Sequence, residues 1–180
     1  MMQMADWYGS ARSNYFRVRN IEAFKKLCER WNAQFWEEGK YDEKTKTNKK
    51  TGRVAFSGED DHGGLPYYRS EEVKLGDLPP KKRAATAKAQ GLDPKDPEAL
   101  KEVVEVEYEQ DDFFNELAEQ LVDGEVAVMM EAGAEKLRYV SGWAIAINSK
   151  GKRVVVGLDD IYKKAQKLTM TKHKVSRCGN

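Results

Sequence analysis

A chain of 180 residues carrying 31 Lys+Arg against 30 Asp+Glu, for a formal net charge of +1, is long enough to bury one sizeable core or two small ones. The near balance of charge excludes both a strongly basic nucleic-acid binder and a strongly acidic nucleic-acid mimic, leaving only local patches. Two cysteines, Cys28 and Cys178, are too few for a disulfide framework and point to a reducing cytoplasm. No apolar run approaches the roughly 20 residues that span a bilayer, and the first residues lack the charged-then-apolar layout of a signal peptide, so a cytoplasmic protein with no membrane partner is expected.

In chain order, residues 7–14 are rich in turn formers yet hold Trp7 and Tyr8, and residues 15–19 alternate as a strand. Asn20 is placed to cap a helix over 21–31, whose stripe of Ile21, Phe24, Leu27, Cys28 and Trp31 faces a core and makes Cys28 a core thiol. Residues 33–37 and 53–57 read as strands. Between them, 39–52 is polar and charged, a long loop or arm. Glu59, Asp60, Asp61 and His62 offer metal-ligating atoms among glycines without a recognised spacing; such runs are usually solvated turns, and no metal or other cofactor is expected. Residues 79–97 mix proline, lysine and alanine without sustained apolar periodicity and read as a linker with a short helix at 83–90.

The second half opens with an alternating strand at 103–108 and a helix over 113–121 carrying Phe114, Leu117, Ala118 and Leu121 inward, capped by Asp111 or Asp112. Three strands follow, at 125–131, 136–147 and 152–157. Across 143–147, Trp143, Ile145 and Ile147 share one face, and Ala144 and Ala146 form an opposite face small enough for a helix to approach. Gly142 marks a bulge or bend. A helix begins near Asp159 with Ile161, Ala165 and Leu168 as its apolar stripe, and a basic tail, 169–180, is expected to be disordered.

The order strand, helix, strand, strand occurs in both halves. It predicts an α+β fold, mainly antiparallel, with helices on one face and two related units, separate or merged into one sheet. The expected divisions are an N-terminal unit at 7–78, a linker at 79–101, a C-terminal unit at 102–168 and the tail.

Residues 7–18 (WYGSARSNYFRV), 124–139 (GEVAVMMEAGAEKLRY) and 158–162 (LDDIY) resemble small proteins encoded by bacterial plasmids and phages. The resemblance implies a single-purpose accessory binder of the kind that counters host defence, anti-CRISPR and anti-restriction proteins among them, and transfers no catalytic residue. The residues themselves offer no nucleophile–base set and no phosphate-cradling glycine loop, so an enzyme is not expected. The expected function is a non-enzymatic protein binder whose acidic residues Glu109, Asp112, Glu116, Glu119 and Asp123 occupy a basic surface on a host nucleic-acid-binding complex. The alternative is a nucleic-acid module in which Tyr15 and Phe16 stack bases while Arg12, Arg17 and Arg19 hold phosphate, with Trp7 and Tyr8 as further contacts to nucleic acid or a partner.

Overall fold

The computed structural model describes residues 7–58, 64–65, 68–135 and 139–168. Its elements are β1 (Trp7–Ser13), α1 (Ile21–Arg30), β2 (Ala33–Asp42), β3 (Thr47–Gly58), β4 (Tyr68–Lys74), α2 (Pro80–Gln90), β5 (Val103–Glu109), α3 (Gln110–Gln120), β6 (Val126–Glu135), β7 (Tyr139–Asn148), β8 (Arg153–Gly157) and α4 (Asp160–Ala165). They form two compact units, residues 1–66 with 113–180, and residues 67–112. The fold is α+β with antiparallel sheets, as expected. No helix among the described residues is long and apolar enough to cross a membrane.

The larger unit is built on a six-stranded sheet of order β2-β3-β1-β6-β7-β8. α1 forms because Asn20, extended, accepts the N–H of Ala23 at 3.0 Å and so caps a helix that turns Phe24, Leu27 and Cys28 inward. Those side chains enter a run of edge-to-face rings: Phe24 meets Phe16 (5.5 Å), Phe35 (6.0 Å) and Phe56 (6.2 Å), and Phe56 meets Phe113 of α3 at 5.1 Å. Phe114 then reaches Trp143 of β7 at 6.3 Å. α1 and α3 therefore pack on one sheet face, where Ala127, Met129, Ile145 and Ile147 are also buried. This is the Trp143, Ile145, Ile147 face read from the sequence; the Ala144, Ala146 face receives neither of these helices.

The smaller unit pairs β4 with β5 over a core of Leu75, Leu78, Ala87, Ala99, Val104 and Val106. Residues 79–97 are therefore no linker. Pro80 opens α2 and Gly91, at φ +70°, closes it, while Ala87 carries its burial. α2 contains the short helix read at 83–90, and because alanine supplies its buried contact, hydrophobic periodicity does not reveal that it packs in a core.

Other expectations also change. Residues 14–20 make only isolated bridges, Phe16 to Val54 and Val18 to Leu121, and the first strand is 7–13, paired along its length with β6. Asn14 ends it: its side-chain amide donates to the carbonyl of Val126 (3.1 Å) and accepts the N–H of Val128 (2.7 Å), replacing ladder bonds. Of the two readings of 39–52, the paired hairpin arm and not the loop is what forms, because β2 and β3 stay paired out to Asp42 and Thr47. Strands from both ends of the sequence share the large sheet, and β5 pairs with β4 instead of opening a C-terminal unit, so the divisions at 7–78, 79–101 and 102–168 give way to the two units above. Gly142 is in register with Ala132, without a bulge; a Cβ there would lie 2.9 Å from the Leu158 side chain, so close approach explains the glycine. The tail at 169–180 and the 59–62 run fall outside the described residues.

Cys28 is fully buried, and burial pushes its thiol up to about 12, with the Glu29 charge adding to the shift. In the folded protein it should resist iodoacetamide near neutral pH and react only on unfolding, as peptide mass mapping would read. The sign follows from the raised value: the protonated thiol's contribution is whole below the ordinary 9.0 and is lost as pH rises toward about 12. Rapid alkylation of the folded protein would contradict the burial.

Candidate functional site

Antiparallel register places Ser57, Arg12, Met130, Ala144 and Val156 in one row across β3, β1, β6, β7 and β8, on the sheet face opposite α1 and α3. Alternation adds Val126, Val128, Val140, Ala146 and Val154 to that face. Met130 is 63% exposed and Val140 73%, and Val126, Val154 and Val156 are exposed as well. At its β1–β2 end the Arg12 guanidinium stacks on Trp36 at 5.1 Å. On the same face Ala55 and Ser57 of β3 are buried and the Leu158 side chain packs over Gly142, so the exposed part is an apolar patch on β6–β8, with a cation and an indole toward β1–β2, the composition of a protein-contact surface.

The sequence pattern did not single this surface out. The available signal was that β6, β7 and β8 are apolar on both faces, Val126, Val128 and Met130 alternating with Ala127 and Met129, while among the described residues two long amphipathic helices, α1 and α3, pack on them.

The five acidic residues proposed from sequence fall in two units. Glu109 and Asp112 belong to the smaller unit, and Glu116, Glu119 and Asp123 to the larger. Asp112 accepts the Glu109 N–H at 3.1 Å, the reach-back half of a capping box, and pairs with Lys82 at 3.1 Å. Glu116 pairs with Arg30, and Asp123 with Arg19 at 2.9 Å. Glu119 and Glu109 are exposed, and among the described residues no ion pair engages either side chain. Three of the five are thus neutralised within the chain by partners far away in sequence.

The arginine and aromatic set is split likewise. Arg12 points to the sheet face opposite α1 and α3. Arg17 lies 3.8 Å from Glu125, and Arg19 is held by Asp123, both beside the entry to β6. Tyr15 is half-buried, Phe16 is fully buried against Phe24 and Phe56 and cannot stack a base, and Trp7 and Tyr8 are placed on β1 by their backbone.

The β2–β3 arm ends in a turn held by Asp42, which accepts from Lys49 Nζ (2.7 Å) and from the Lys44 N–H (3.0 Å); these bonds lower its pKa. A cavity of about 460 Å³ there is lined by Lys40, Tyr41, Asp42, Glu43, Lys44 and Lys49, an exposed mixed-charge surface without a nucleophile. Among the described residues no three His, Cys, Asp or Glu side chains gather as a metal site. Compared with known proteins, the chain matches no protein family, no curated protein and no solved structure.

Proposed function

We propose that this chain is a non-enzymatic protein-binding accessory protein, of the kind mobile elements carry against host defence, and that it holds its partner on the exposed β6–β8 part of the sheet face opposite α1 and α3. The observation that carries this reading is the row of exposed apolar residues, Val126, Met130, Val140, Val154 and Val156, sharing one face beside the Arg12–Trp36 pair. The resemblance to plasmid and phage proteins supplies the biological setting, and its first two blocks contain the paired strands β1 and β6. An acidic contact with a basic host surface is the weaker form, since Asp112, Glu116 and Asp123 are already paired. Nucleic-acid binding is weaker for the matching reason at Arg17 and Arg19.

The test is capture from host lysate by the wild type and by Met130→Glu, with nuclease-treated and high-salt arms. The expected result is one protein retained by wild type through nuclease and salt, and lost with Met130→Glu while circular dichroism is unchanged. Equal capture by both proteins would remove the sheet face as the site, and retention that nuclease or salt abolishes would favour nucleic acid.

A further inference from the structure

The two edges of the large sheet differ. β2, at one edge, carries Glu37, Glu38, Lys40 and Asp42 and a register break between Glu37 and Gly39, devices that blunt strand addition. β8, at the other, is Arg-Val-Val-Val-Gly, with Val154, Val155 and Val156 exposed at 57%, 61% and 48%. Half of the exposed large hydrophobics among the described residues fall in 154–168, which adds Leu158, Ile161 and Leu168 to these valines.

Two flanking hydrogen bonds fix the phase of the β7–β8 ladder: Leu158 N–H to Gly142 O at 2.8 Å, and Asn148 N–H to Lys152 O at 3.2 Å. Bonded pairs alternate along an antiparallel ladder, so Val154 and Val156 turn their backbone groups toward β7 and Val155 turns both of its own outward. At the far end, the Gly157 N–H is taken by Asp160 at 2.9 Å.

We propose that β8 pairs antiparallel with β8 of a second copy of this chain about a two-fold axis at Val155, joining two six-stranded sheets into one. A two-fold requires a self-complementary patch. Centred on Val155, each copy's Val155 N–H meets the other's Val155 C=O, and Arg153 lies opposite Gly157, whose own N–H stays with Asp160. The turn bearing Lys150 and Lys152 comes alongside Asp159 and Asp160 of the other copy, of which Asp160 already holds Lys163 at 2.9 Å. A net charge of +1 imposes little mutual repulsion. The pairing uses the sheet edge and does not depend on what the sheet face binds.

Sedimentation of the full chain across a wide concentration range tests this, with circular dichroism verifying the fold of each variant. Wild type should pass from monomer to dimer. Val155→Pro, which removes an outward N–H that an edge strand can lose, should stay monomeric where wild type is dimeric. Val155→Lys and Val155→Glu should each do the same, because identical charges would face each other across the axis, and an equimolar mixture of the two should recover the dimer. A wild type that stays monomeric, a dimer that survives these substitutions, or a charge mixture that fails to recover would overturn the proposal. If Val155→Pro does not fold, the charge pair decides alone.

Discussion

Replacing Phe56 by alanine should cost about 3–5 kcal/mol, the range for deleting a buried aromatic side chain. The position has no exposure, and its ring touches Phe16 at 6.3 Å, Phe24 at 6.2 Å and Phe113 at 5.1 Å. It joins α1, α3 and the segment after β1 in one packing unit, so the cavity has several walls and no one of them can collapse without breaking ring contacts elsewhere. Against a typical total of about 5–15 kcal/mol, the loss would remove a large share of the stability. Phe35→Ala is the comparison: Phe35 is half-buried and its ring contact is with Phe24 at 6.0 Å, so its cost should be clearly smaller. Urea unfolding at unchanged m-value reads both. A Phe56→Ala midpoint close to wild type would mean that the aromatic run is not the centre of the core.

What the sequence disclosed and what it hid follow from the range of the interactions concerned. α1 and α3 were legible because each has an amphipathic stripe; Asn20 caps α1 as read, whereas Asp112 lies inside α3 and reaches back to the Glu109 N–H, so α3 begins three residues before the 113 read from sequence. β6 to β8 were legible from their apolar runs, including the face shared by Trp143, Ile145 and Ile147. The order of strands was not, because the pairing of β1 with β6 joins residues separated by more than a hundred positions, and turn formers such as Gly9 and Ser10 conceal a strand that its neighbours hold extended. The 39–52 stretch read as a loop or arm because its charged residues alternate without an apolar face; cross-strand contacts such as Lys50 with Glu37 at 2.9 Å support it instead. At the candidate surfaces, composition showed the acidic run but not its neutralisation, since Arg30 meets Glu116 and Arg19 meets Asp123 only through the tertiary fold. An exposed valine and a buried one look alike in sequence, which is why the exposed β6–β8 patch and the β8 edge became visible only once the positions of the helices were known.

Gly58→Ala is expected to destabilise the larger unit severely, for a reason independent of backbone dihedrals. A Cβ built on Gly58 would collide with the carbonyl oxygen of Gly64 and fall 2.7 Å from the backbone nitrogen of Leu65. The obstruction is main chain, which cannot rotate aside as a side-chain tip could, so either the end of β3 or the 64–65 segment must move. Leu65 is fully buried, and moving its backbone carries that side chain out of register with its surroundings. Overpacking typically costs about 1–3 kcal/mol, and a clash with backbone at both neighbours belongs at or above the upper end. Gly39→Ala makes the control, since a Cβ there would sit 3.9 Å from the Asn48 side chain, an ordinary contact, and the change should be close to neutral. Hydrogen exchange adds a local readout: Gly58→Ala should raise exchange at the Ala33 end of β2, which pairs with Gly58, before it does so at β7. Equal unfolding midpoints for the two alanine variants would show that the 64–65 segment does not press on Gly58 in solution.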